Sequence, residues 1–165
     1  MIWEKNESAY TLAELLCVLA ILALLMAIAA PSFAGWSEMR QLQLAARTVA
    51  LDMRRVQQAA ITSGYTSCLQ FYLRDPNKND SYRIVDSAAN TVKRVYLPDG
   101  ISVSHITFIE SGGTYNLCFL RSGAPNRGGT VCLRNERGER LYVIVTPATG
   151  RVRISNEPPD HWEVP

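Results

Sequence analysis

Between Tyr10 and Ala30 the chain reads YTLAELLCVLAILALLMAIAA, an apolar run interrupted by one charge, Glu14. At 1.5 Å rise per residue, a helix of that length spans about 30 Å, the hydrocarbon thickness of a bilayer. A surface helix needs a polar face, and Leu15 to Ala30 supplies no charged or strongly polar side chain to make one. The segment therefore belongs in a membrane or in an apolar bundle of helices. A cleaved secretory signal is the competing reading, with Ala27-Ile28-Ala29 as its cut site. Against it, the residues before the run include Glu4 and Glu7 beside Lys5, and the run is longer than a signal core.

Pro31 removes a backbone donor and crowds the carbonyl four residues earlier, which predicts a kink near residues 27 to 31, loosened further by Gly35. Helical periodicity then resumes. Met39, Leu42, Ala46, Val49, Met53, Val56 and Ala60 fall on one stripe, while Arg40, Gln41, Arg47, Asp52, Arg54 and Gln58 fall elsewhere. A helix laid against its own sheet explains this stripe better than a coiled coil, and Gly64 is placed to end it after Ser63. Beyond residue 65 the texture changes to short strands. These are expected at 66–73, 82–85, 91–97, 101–109, 115–120, 130–134, 141–146 and 151–154, separated by turns such as Asp75-Pro76-Asn77 and Pro98-Asp99-Gly100. No long helix pattern recurs, so the pairing should be antiparallel. The expectation is an α+β chain: a hydrophobic N-terminal helix continuing into a helix packed on a mainly antiparallel β-sheet domain. Its segments are residues 1–9, 10–36 and 37–165.

The totals narrow the chemistry. With 165 residues there is room for one domain besides the apolar segment, and 47% hydrophobic with 19% charged residues fits a folded chain. Four cysteines without a C-x-x-C pair, and only His105 and His161 as histidines, give no metal-ligand pattern. No G-x-S-x-G, P-loop or H-E-x-x-H occurs. Neither an enzyme nor a cofactor is expected.

Glu14 is the chemical anomaly. A carboxylate near bilayer depth costs about 2.5–3.5 kcal/mol on insertion scales. If the chain were cut between Ala9 and Tyr10, the new amino group would be at position +1 and Glu14 at +5. A neighbouring copy's amine could then neutralise Glu14 within a bundle and set the register between subunits. Alternatively Glu14 sits near the headgroups, one turn in from the interface.

The stretch AYTLAELLCVLAILALLMAIAAPSF resembles the class III signal of type IV prepilins and type II secretion pseudopilins. Tyr10, Thr11, Leu12, Glu14, Leu15, Leu16 and Pro31, the last at +22, match that signal in one register, with Ala9 where the family usually has Gly. The stretches LDMRRVQQAAITSGYTSCLQF, LPDGISVS, FLRSGAPNRGGTVCLRN and LYVIVTPATGRVRI resemble the GspH/FimT group of minor subunits within that superfamily. The resemblance implies a minor pilin or pseudopilin of a type IV pilus or type II secretion filament. Residues 1–9 would be a leader, prepilin peptidase would cut between Ala9 and Tyr10, and Tyr10 would be N-methylated. Glu14 and Pro31 would serve assembly with other pilin subunits on an inner-membrane assembly platform. The chain would cross the membrane once, with its C-terminal domain outside the cytoplasm.

Residues 121–153 hold seven arginines against Glu136 and Glu139, a net +5, without a lysine. Arginine suits bidentate phosphate contacts. In a strand, Arg151 and Arg153 share one face, and with Arg127 and Arg121 they form a candidate DNA-binding set. The resemblance points the same way, since FimT-branch members serving natural transformation end in such a Gly-Arg-x-Arg, matched at Gly150, Arg151 and Arg153. The plainer reading is a solvated face, with Arg137 and Arg140 pairing locally with Glu136 and Glu139. Cys17 reads as a small apolar residue. Cys118 and Cys132 lie in candidate strands joined by a Gly-rich loop, so either they form a cross-strand disulfide, leaving Cys68 over, or the thiols are free and buried.

Overall fold

In a computed structural model, residues 11–73, 80–86 and 91–159 are described, with the side chains of residues 28–36 and of Thr91 outside that description. The chain divides into two compact units at Ser37 and Glu38. One helix, α1, runs over Leu12–Ser63. Thr11 starts it: its hydroxyl accepts the Glu14 amide at 3.2 Å, satisfying one of the orphan donors of a helix start. The Thr11–Glu14 spacing is that of a capping box, and a carboxylate in the first turn is favoured by the helix dipole. From Leu12 to Met26 the large apolar side chains of the first unit stand exposed. Among the described residues no helix is long and apolar enough to cross a membrane. Pro31 lies within α1, whose helical backbone runs through the position where a kink was expected without a break in the helix.

The second unit is built on the predicted stripe. Leu42, Ala46, Val49, Met53, Val56 and Ala60 are buried, and Met39 packs against their cluster. The helix stops at Ser63. Gly64, at a φ of 73°, takes the left-handed position and donates its amide to the Ala60 carbonyl. Among the described residues nine strands follow: β1 (Ser67–Tyr72), β2 (Ser81–Val85), β3 (Thr91–Tyr96), β4 (Ile101–Ile106), β5 (Ile109–Ser111), β6 (Thr114–Phe119), β7 (Gly129–Asn135), β8 (Arg140–Val145) and β9 (Val152–Ser155). They form two antiparallel sheets, ordered β3-β2-β1-β6-β5 and β4-β7-β8-β9.

The expected strand over 101–109 is two strands in different sheets. At Thr107 and Phe108 the chain crosses between them: Thr107 exchanges hydrogen bonds with Thr130 of β7, and Phe108 stacks on Phe71 of β1 with centroids 6.0 Å apart. Phe71, Leu117 and Phe119 from one sheet and Val131, Leu133 and Val143 from the other close the core over α1. A smaller cluster of Cys132, Tyr142 and Ile144 lies apart from it.

Asp52 departs from the sequence expectation. Placed off the apolar stripe, it is fully buried. Its carboxylate accepts the Tyr82 hydroxyl at 2.7 Å and Arg55 at 2.9 Å, with the Lys93 ammonium 3.5 Å away. Asp52 therefore ties the helix to β2 and β3, and the lost hydration of a buried carboxylate is replaced by these donors.

The cysteine expectation is also corrected. Cys68 and Cys118, not Cys118 and Cys132, form the disulfide. They face each other across the β1–β6 ladder with Cα atoms 4.0 Å apart. Strand β7 belongs to the other sheet, where Cys132 is a buried free thiol packed with Tyr142.

Candidate functional site

The arginine-rich end of the second unit is assembled from α1 and two turns. Leu120 and Ala124 close the first turn, with the Leu120 amide donating to the Ala124 carbonyl at 2.8 Å. The Asn126 side-chain oxygen accepts the Cys118 and Arg127 amides and fixes the way out of that turn. Thr146 and Arg151 close the second turn before β9. These turns meet at Gly150, whose φ of 65° lies in the left-handed region. A Cβ there would sit 2.6 Å from the Gln57 amide nitrogen and 2.8 Å from the Gly123 carbonyl oxygen, so conformation and space both demand glycine. This explains the glycine of the Gly-Arg-x-Arg ending in physical terms.

Helix α1 clamps both turns. Gln57 donates to the Gly123 carbonyl at 2.8 Å, and Arg54 donates to the Val152 carbonyl at 2.9 Å. Val152 is buried while Arg151 and Arg153 on either side of it are exposed, which confirms that the two share the outward face. Arg121 and Arg127 are exposed on the first turn. Among the described residues, none of Arg121, Arg127, Arg134, Arg140, Arg151 and Arg153 has an ion pair or a side-chain hydrogen bond. The local pairing of Arg137 and Arg140 with Glu136 and Glu139 does not occur, while the exposure of these arginines is that of a solvated face. Arg137 instead pairs with Glu38 at 2.7 Å, and Glu139 accepts from Asn135. Arg134 and Arg140 face one another directly across β7 and β8, an arrangement of like charges that costs stability.

Arg54 and Gln57 were not singled out from sequence as site residues. Their signal was a helix whose exposed charges are all cationic: between Met39 and Ser63 the charged residues are Arg40, Arg47, Arg54 and Arg55 and the buried Asp52. Of the N-terminal set, Ala9 and Tyr10 lie outside the described residues, Pro31 is described in its backbone alone, and Glu14 stands in the exposed first turn of α1. No cluster of candidate metal ligands occurs among the described residues.

Residues 5–30 match the prokaryotic N-terminal methylation motif. No curated protein matches the chain. Among solved structures, the type IV minor pilin FimU of Pseudomonas aeruginosa aligns with a TM-score of 0.54 at 14% identity, over 73% of this chain and 92% of FimU. The minor pseudopilin EpsH of the Type 2 Secretion System of Vibrio cholerae aligns with a TM-score of 0.51 at 14% identity, over 70% of this chain and 96% of EpsH. These likenesses carry the fold. The chain thus carries the methylation motif ahead of a domain with the fold of minor pilins and minor pseudopilins.

Proposed function

We propose that this chain is a minor subunit of a type IV pilus or a type II secretion pseudopilus, assembled through its N-terminal helix. The observation that carries this reading is the order of parts: a methylation motif over residues 5–30, an exposed apolar helix bearing Glu14, then a separately compact pilin-fold domain. Prepilin peptidase cuts between Ala9 and Tyr10, Tyr10 is methylated, and Glu14 neutralises the amine of a neighbouring subunit in the apolar bundle. Before assembly the helix holds the protein in the inner membrane as a single pass, with the domain outside the cytoplasm. The role is structural rather than catalytic. The test is co-purification of tagged Glu14→Leu protein with filament subunits. Normal membrane insertion with lost incorporation supports the reading, and equal incorporation overturns it.

A second reading, DNA binding by Arg151, Arg153, Arg127 and Arg121, draws support from the unneutralised arginines and from the clamp that fixes their turns. Such contacts release counterions, so affinity would fall with salt at a log–log slope near −0.9 per phosphate. Loss of binding on replacing Arg151 and Arg153 by Gln tests it.

A further inference from the structure

We infer that residues 160–165, which lie outside the described residues, strap the outer face of the β4-β7-β8-β9 sheet, with Trp162 as the anchor, and seal the free thiol of Cys132 beneath them.

The sheet turns one face to the core and one away from it. Val131, Leu133 and Val143 point into the core that α1 and the other sheet close. Alternation along the strands sends Cys132, Tyr142 and Ile144 the other way. Strand pairing then aligns His105, Cys132, Tyr142 and Ser155 in one row across all four strands, with Thr130, Ile144 and Arg153 in the next. An outward face without a cover is solvated. Yet Cys132 is 2% exposed, Tyr142 4% and Ile144 8%, in a cluster separate from the core. His105 and Tyr142 are each engaged by a further group. The centre of this face is therefore covered from the side opposite α1.

The chain itself arrives there. Ser155 points outward beside Tyr142, and its hydroxyl accepts the Glu157 amide at 3.1 Å. That bond bends the chain toward the outer side of the sheet as β9 ends. Pro158 and Pro159 restrict the next step to an extended path, and Pro159 is already half-buried. Six further residues reach about 20 Å when extended, against about 14 Å from β9 to β4 at the usual strand spacing.

Composition fits the face as well. Trp162 and Val164 supply apolar area for Tyr142 and Ile144, a tryptophan alone burying about 200 Å². Asp160 and Glu163 bring negative charge, whereas the four strands contain no acid and set Arg134, Arg140 and Arg153 on the outer side. The seal has a chemical use. A reachable thiol attacks disulfides, and Cys132 shares a domain with the Cys68–Cys118 bond, so keeping it covered prevents exchange into a wrong pair.

The experiment follows maleimide labelling of Cys132 in full-length protein in neutral detergent micelles, with Cys17→Ser removing the exposed thiol and the disulfide left oxidised. A chain stopped after Pro159 should label about tenfold faster, and Trp162→Ala nearly as fast, because the thiol then needs no local opening to react. Val131→Cys with Cys132→Ser moves the probe to the core side of the same strand and should label equally slowly in both chain lengths. Unchanged labelling of Cys132 in the shortened chain overturns the strap. Faster labelling at both positions overturns it too, since the whole domain has then loosened. Labelling of the full chain that speeds up on dilution, with no effect of shortening, assigns the cover to a second copy and overturns the role of residues 160–165.

Discussion

The Tyr82 hydroxyl donates to the Asp52 carboxylate at 2.7 Å, joining α1 to β2 inside the core. Burial first, then the hydrogen bond to Asp52 and its charge, pushes the Tyr82 hydroxyl well above its ordinary value of 10.0. The folded state therefore keeps a proton that the unfolded chain gives up. Stability from this pair is fully present below about pH 10 and is lost as pH rises beyond it. Tyr82→Phe should cost about 1–3 kcal/mol at neutral pH, since Asp52 loses a buried donor. The variant should also show a smaller stability loss above pH 10 than wild type. Paired thermal melts across that range check both.

The buried stripe predicts that a fragment starting at Ser37 folds by itself and melts cooperatively. Val49, 1% exposed, faces the sheet core. Val49→Asp places an unpaired charge there and should cost several kcal/mol, enough to abolish the melt. A retained cooperative melt would mean that the stripe faces another protein.

The Cys68–Cys118 bond closes a loop with a sequence separation of 50, worth about 4 kcal/mol in the chain-entropy picture. Reduction should lower the melting temperature of wild type and leave that of Cys68→Ser unchanged. Cys132→Ser, affecting a free thiol, should keep the reduction-sensitive melt.

Gly150→Ala should destabilise by about 1–3 kcal/mol, through the left-handed backbone and the clash with Gln57 and Gly123. Gly64→Ala has the same backbone sign but nothing within 4 Å, and should cost about 1 kcal/mol. Chemical denaturation of both variants compares the two terms.

Much of the architecture was legible because it is local. The stripe from Met39 to Ala60, the stop at Gly64 and the positions of most strands follow from side-chain period and turn residues. What the period could not give was partnership. Whether β6 pairs with β1 or β7 depends on the crossing at Thr107 and Phe108, and that choice decided which cysteine meets Cys118. Asp52 was misplaced because its charge was read as exposure, although its spacing from Val49 and Val56 puts it on the buried face. Arg54 is exposed, in keeping with its place off the stripe, but its bond to the Val152 carbonyl is a long-range contact that the period could not give.

The central claim is that the apolar segment is a retained assembly helix and not a discarded signal. Mass spectrometry of the N-terminus of the mature protein, purified from membranes, tests it most directly. The account predicts a chain beginning at Tyr10 with a methylated amine, which places Glu14 at the fifth position. A mature chain beginning after Ala29 would contradict it, because the helix that carries Glu14 would then be gone.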